Sequence, residues 1–415
     1  MNRKRKSYCW LRNPIVPVLF VMLLLAFYLL FPSSLFESLY SYEKKENLVF
    51  IVFCFLFCLL IILGVLFSLM GKKRENATSS LISRKEIYGF SILFYITLCA
   101  YLIWYLNALI TIDFSTVIKD FLSKGFTSIW NTDRGHISGI TTFTEFGPVL
   151  CSIGTSLYFK SKSKKQKKKI LKKILLIVFL SLIRFFVFSE RLATIELIVP
   201  IFITSLFYKK IKPIQNYLLP FLLLLLLYFA FTFGEYFRSW KYYSSSYSGS
   251  VFSFSFFRLV GYYATSINNG NVLSNSVYIS FTPYRFFTFI KSFPILGEIY
   301  TSSSYYSIFQ TAFNLYCNPE FNNCSGFLDF YLDFGYGSLL FSLIFGIVIG
   351  KSFLKAKQQD TFSVAFFSIA YFCLLEIPRL STIGLSRGLF FALSLFVFSF
   401  YRGKRKRNCL ILLNV

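Results

Sequence analysis

Apolar residues in this chain come in long unbroken runs, without the two-residue alternation of a half-buried strand or the narrow stripe of a surface helix. Runs approaching twenty residues with few charges are what a helix needs to cross a bilayer core. They predict spans at residues 14–32, 48–70, 87–112, 140–159, 174–189, 192–208, 214–234, 330–350, 361–378 and 387–401. The run at 140–159 is interrupted by Glu145, Gly147 and Pro148, yet the Lys-rich segment after it requires a crossing there. The fold expected is an all-α polytopic integral membrane protein with about ten transmembrane helices.

One connection is far longer than a helix-to-helix link requires. Residues 235–329 divide the chain into helices 1–7 with short loops (1–234), a large external loop (235–329), and helices 8–10 with a basic tail (330–415). Connections of that length are usually functional or disordered. This one is poor in Pro, low in charge and crowded with Phe and Tyr, the opposite of a disordered composition, so an ordered lid or binding surface is expected. Cys317 and Cys324 lie in it, with Pro319 and several Asn between them, and predict a small disulfide loop in an oxidising compartment.

Charge sets the orientation. A net charge of +26 would point a soluble chain towards nucleic acid, but the Lys and Arg here sit in short clusters beside the spans, so a nucleic-acid role is discarded. The connections at 1–13, 71–86, 160–173, 209–213, 351–360 and 402–415 carry 30 basic residues, and those on the other side carry 13. The excess of basic residues marks the cytoplasmic side, which places both termini there and the long loop outside. The first apolar run follows Arg3-Lys-Arg-Lys6 but has no A-x-A-like cleavage site, so it is expected to remain as an anchor.

No Gly-rich phosphate loop of the G-x-x-x-x-G-K-S/T kind is present, and the cytoplasmic connections are too short for a nucleotide-binding domain. Chemistry must then occur outside or within the membrane and draw on energy already stored in the substrate. Lipid-linked diphosphate sugars are such substrates.

Ionisable groups within spans are costly and are functional candidates. Arg184 lies near the outer end of its span and either snorkels to the headgroups or points inward. With Arg191 it would form a corner of two guanidiniums, beside Glu190 and Glu196, able to grip a diphosphate through planar paired hydrogen bonds; a local pair with Glu190 is the alternative. Arg134 and His136 precede the interrupted span that carries Glu145. A carboxylate desolvated near a span end suits general-base work, and the alternative for Glu145 is a structural pair with an Arg. Glu235 and Arg238 stand at the mouth of the long loop, as a site or as a helix-end pair. Trp240, Tyr243 and Tyr263 offer flat faces suited to the lipid interface or to sugar rings. No His, Cys or carboxylate cluster has metal-ligand spacing, Asp329 and Asp333 at i, i+4 included, and no cofactor is expected.

The many spans, the outer turn Phe188-Ser-Glu-Arg191-Leu-Ala, the segment Gly234-Glu-Tyr-Phe-Arg238-Ser-Trp240, the large late loop, and Asp333-Phe-Gly-Tyr-Gly337 leading into Phe345-Gly-Ile-Val-Ile-Gly350 together resemble the O-antigen polymerase family of oligosaccharide repeat-unit polymerases. The resemblance implies a metal-independent lipid-linked-donor glycosyltransferase of the bacterial inner membrane with a GT-C-like helical architecture. The growing glycan would leave undecaprenyl diphosphate and join the terminal sugar of an incoming lipid-linked unit at the periplasmic face, with a chain-length regulator protein as partner. It also implies external arginines on the diphosphate. Arg134 departs from the family's spacing of an Arg and a Gly eleven residues later, since its nearest such glycine is Gly147.

The residues read alone give the same scheme in weaker form: Arg191 and Arg238 on diphosphate, Arg134 and Arg184 in support, and Glu145 or Glu235 as base. The alternatives are an O-antigen ligase and a polysaccharide flippase or transporter. A transporter would show inverted repeats and broken helices, where this chain has one asymmetric loop. The topology has a direct test: a reporter active only outside the cytoplasm is expected to work when fused near Ser245 or Asn314 and to fail near Lys165 or Lys355. Signal at Lys165 would refute the arrangement.

Overall fold

The computed structural model describes residues 8–70, 82–111, 115, 119, 137, 139–188, 190–245, 247–293, 295–318 and 320–402, and among these there is no β-strand. The helices are α1 (Ile15–Leu30), α2 (Ser33–Tyr40), α3 (Leu48–Leu69), α4 (Arg84–Thr111), α5 (Gly147–Lys160), α6 (Lys164–Val187), α7 (Arg191–Leu206), α8 (Pro213–Glu235), α9 (Val251–Ser276), α10 (Ser304–Tyr316), α11 (Gly326–Phe334), α12 (Ser338–Lys357), α13 (Thr361–Glu376) and α14 (Ser386–Phe400), with shorter turns between them. By length and composition α3, α4, α8 and the joined stretch Gly326–Lys357 can each cross a membrane, and α1 with α2 adds a fifth if their 97° bend is counted as one span. The chain is a helical membrane protein. Helices also lie over the remaining apolar runs, but α7, α13 and α14 are shorter than a full crossing.

The helices form two groups around two apolar cores. Helices α1, α3, α9, α11 and α12 enclose one, and α4, α5, α6 and α14 enclose the other. Helix α13 belongs to both: Val364, Phe367 and Tyr371 face the first core, while Ala365, Ile369 and Phe372 face the second. A helix apolar on every side is one that protein surrounds, and α13 is the partition between the groups.

Within the first group, α3 and α12 cross at glycines. A Cβ on Gly64 would meet the backbone of Leu343 and Ile347, and one on Gly346 would meet the backbone of Ile61. Small residues of this kind let helix backbones approach closely where water-driven burial is weak, and Gly346 and Gly350 have the G-x-x-x-G spacing that does so.

The two ends of the bundle differ in chemistry. At the lysine-rich end Lys160 Nζ donates to Thr361 Oγ1 (2.9 Å), Trp10 Nε1 to Asn216 O (3.0 Å), and Arg402 Nη2 to Asp360 Oδ2 (2.8 Å). At the opposite end Asn47 N donates to Asn271 Oδ1 (2.9 Å), and Phe289 N to Gly384 O (3.2 Å).

The stretch 235–329 is not a loop laid over the bundle. Its main element, the 26-residue α9, is built into the bundle through a polar face. Asn268 Oδ1 accepts from Tyr28 Oη and Lys45 N (both 2.8 Å), and Asn269 Nδ2 donates to Phe321 O and Asn323 O (both 2.9 Å). Buried amides bonded in this way favour one orientation, because a shift would strand them. Those last two bonds also close the turn between Cys317 and Cys324, which are free thiols here and not the expected disulfide. Asp329 and Asp333, side by side on α11, hold the preceding segment: Asp329 Oδ1 accepts from Arg285 Nε (2.8 Å) and Asp333 from the backbone N–H of Arg285 and Phe286.

Helix α8 stands away from the rest, with only 6% of its apolar stretch buried. It is fastened at its last residue, where the fully buried Glu235 faces Arg258 Nε of α9 at 3.1 Å; Arg258 also donates to Glu320 (2.6 Å). Burial works against the Arg258 charge, and Glu235, Tyr262 and Glu320 outweigh it, so its pKa lies above the ordinary arginine value. A π turn, Tyr236–Trp240, follows immediately.

The glycine crossing generates a paired test. Gly346→Ala is expected to lower stability by about 1–3 kcal/mol because a methyl must enter a backbone contact. Gly337→Ala, where nothing lies within 4 Å, should change it by less than about 0.5 kcal/mol. Thermal unfolding of the two variants in the same detergent checks this, and equal losses would contradict the close crossing.

Candidate functional site

A single cavity of about 2060 Å³ runs along the seam between the two helix groups. It is bounded by α1, α7, α8, α9 and α13, and follows α1 from Val16 to Tyr28, about 18 Å at the helical rise. Most of its wall is hydrocarbon: Leu19 and Leu23 of α1, Ile198 and Phe202 of α7, Leu223 and Leu227 of α8. It exists because α8 packs along little of its length and leaves a crevice beside α1. At the end opposite the lysines the wall becomes polar, with Glu145, Arg184 and Arg387 on one part and Tyr263, Glu376 and Arg379 on another.

The break in the run 140–159 is what brings Glu145 there. Pro148 is tolerated only near a helix start, so α5 begins at Gly147 and Thr141–Phe146 forms a 3-10 turn before it. Thr141 Oγ1 and Thr144 Oγ1 donate back to Ile137 O and Thr141 O (both 2.8 Å), fixing the turn and pointing Glu145 inward, 4% exposed.

Arg184 does not snorkel. Its Nη2 is 3.0 Å from Glu145 Oε1 and 2.5 Å from Glu190 Oε2, its Nε donates to the same Glu190 oxygen (2.6 Å), its Nη1 donates to Thr144 Oγ1 (3.3 Å), and its Cζ lies 4.9 Å over the Trp104 ring. Every nitrogen is engaged. This arginine holds α6, the 3-10 turn and the α7 entrance together, and its donors are taken by protein groups.

Arg387, at the start of α14, is held quite differently. Its Nε lies 3.5 Å from Glu145 Oε1 and 3.6 Å from Glu196 Oε2, attraction without a well-formed hydrogen bond, and its side chain is 22% exposed. A planar fork of donors faces the cavity largely uncommitted. Arg379 is similar: its Nε is 3.4 Å from Glu376 Oε2 without hydrogen-bond alignment, while Tyr263 Oη reaches Glu376 Oε1 at 3.5 Å. Glu376 is 4% exposed and keeps one oxygen bare.

Of the residues singled out in the sequence, Glu145 and Arg184 meet at the cavity with Glu190 and Glu196 around them. Glu145 Oε1 lies 3.0 Å from Arg184 and 3.5 Å from Arg387, while its Oε2 has no hydrogen-bond partner among the described residues. Glu235 is absent from the cavity wall and faces Arg258 at 3.1 Å. Arg134 and His136 lie outside the described residues, as do the side chains of Arg191 and Arg238. Among the described residues no group of three or more His, Cys, Asp or Glu could hold a metal ion.

Arg379, Arg387 and Glu376 escaped the sequence reading because they flank a short connection between the last two spans, where two arginines look like ordinary interface residues. The available signal was their setting: Arg379 and Arg387 flank the turn that joins α13 to α14, just after the carboxylate of Glu376 at a helix end. No protein-family model, no curated protein and no solved structure matches this chain.

Proposed function

We propose that this chain polymerises lipid-linked oligosaccharide units, moving a growing glycan from a polyprenyl diphosphate carrier onto a hydroxyl of the next lipid-linked unit. In this reading it crosses the bacterial inner membrane about ten times in a GT-C-like arrangement, keeps both termini in the cytoplasm and works at the periplasmic face. One observation carries the proposal: the cavity joins a hydrocarbon groove of lipid length to a cluster of guanidiniums with unused donors. A long isoprenoid suits the groove, and a diphosphate suits planar forks that pair two oxygens at once.

The acceptor hydroxyl attacks the anomeric carbon of the donor glycan. The bond from that carbon to the diphosphate oxygen breaks, its electron pair leaves with the diphosphate, and the hydroxyl proton passes to a carboxylate. Arg387 and Arg379 meet the charge that develops on the leaving group, in a site where low dielectric strengthens them. Glu376, with a bare oxygen at the cavity and Tyr263 beside it, is the carboxylate placed to take the proton. The energy is that of the diphosphate ester, so no nucleotide is needed.

The test is a gel of surface glycan from cells expressing the chain at matched levels. Arg387→Lys keeps the charge but loses the parallel second bond, a loss of about 1.5–3 kcal/mol or roughly ten- to a hundredfold in rate, and chains should shorten. Glu376→Gln should lower polymerisation about 10²- to 10⁴-fold. Deleting the gene should leave a single capped unit. Loss of all glycan on deletion would favour a ligase or flippase, and unchanged ladders from both variants would refute the assigned roles.

A further inference from the structure

The polar end of the cavity contains two carboxylates that the reaction does not use as bases. Glu145 and Glu196 are 4% and 1% exposed, and both lie against Nε of Arg387, at 3.5 and 3.6 Å. Each has an Oε2 with no hydrogen-bond donor among the described residues. Two buried carboxylates in contact cannot both be ionised cheaply, and a single proton between them supplies the missing bond to both. Arg387 stands in front of this pair, about equally far from each member and bonded closely to neither.

We propose that Glu196 carries a proton shared with Glu145, and that this proton is what leaves Arg387 free to engage the anionic head of the ligand. With the proton in place the pair carries one negative charge, which Arg184 already claims at 3.0 Å through Glu145 Oε1. Without it the pair carries two, and Arg387, 3.6 Å from Glu196 Oε2, is the cation placed to draw in and hold the second. The guanidinium then closes onto the carboxylates and its donors leave the cavity. Glu196 is in this scheme a positioning residue, acting on the ligand through Arg387.

The groups that face the pair are Arg184 on α6, Glu190 before α7, Arg387 on α14, Tyr101 on α4 and Cys373 on α13. The arginines stay charged throughout. Glu190 is held by Arg184, whose Nε donates to its Oε2. Tyr101 and Cys373 are buried neutral groups whose ionisation would add negative charge, and a neutral amide at position 196 separates their effect from that of Glu196.

The inference rests on the diphosphate site proposed above, and the experiment separates the two. Farnesyl diphosphate binding to the full chain in detergent is measured by calorimetry from neutral to alkaline pH, in a range where the ligand's own charge is constant. Wild-type affinity is expected to fall by up to about tenfold per pH unit once the pair ionises. Glu196→Gln, which keeps a donor to Glu145 and cannot ionise, is expected to bind at alkaline pH as wild type binds near neutrality. A flat wild-type profile, or the same alkaline fall in Glu196→Gln, would overturn the inference while leaving the diphosphate site standing. Absence of binding at every pH would remove the site and the inference with it. If Glu196→Gln does not fold, the wild-type protein alone decides: its infrared spectrum should contain a protonated-carboxyl stretch that disappears over the same pH range as binding, and a spectrum without that band would overturn the proposal.

Discussion

A guanidinium or carboxylate removed from water must be given a partner of opposite sign, and the non-lysine end of this molecule is arranged around that requirement. Breaking a buried pair by removing one member typically costs about 3–5 kcal/mol, because the charge left behind has no solvent to turn to. Three such sets fasten segments that are distant in sequence. Arg184 joins α6 to Glu145 and Glu190, Arg258 joins α9 to the end of α8, and Arg285 joins the segment before α10 to α11. The same requirement explains why acidic residues concentrate on the side poorest in basic ones: there they work as ligands for the few arginines present.

How completely an arginine is satisfied then separates structural from functional. Arg184 has a partner for each nitrogen and an indole beneath it, so an incoming anion would have to displace carboxylates to reach it. Arg387 and Arg379 are attracted to carboxylates at 3.4–3.6 Å without being bound by them, and both line the cavity. An anion that brings two acceptor oxygens offers them better geometry than they have now. The hydrocarbon groove that leads to this point exists because α8, buried along little of its length, leaves a crevice beside α1.

Much of the fold was legible in the sequence because hydropathy is a local property. The apolar runs mark the helices, and basic clusters separate one end from the other before any contact is known. What hydropathy could not reveal was α9, since its buried face mixes Asn, Ser, Thr and Gly with Arg258 and a few apolar residues and presents no long apolar run. The site was legible only in part. Glu145 and Arg184 stood out as charges in apolar surroundings, and the break at Pro148 flagged the turn. Which arginine remained available was not readable: Arg387 is brought to Glu145 across most of the chain, and its availability depends on distances set by packing. Glu235 looked equally suited to catalysis until its burial against Arg258 was seen.

The central claim is that one molecule occupies both parts of the cavity, its tail along α1 and α8 and its head at Arg387. A polyprenyl diphosphate with a photoreactive group near the end of its chain tests this most directly, by mapping in membranes the residues it labels. The account predicts label on the cavity faces of α1 and α8, around Leu23 and Leu224, and strong loss of that label in Arg387→Glu. Label spread evenly over the exposed faces of α3 and α4, or label on α8 undiminished by Arg387→Glu, would contradict it.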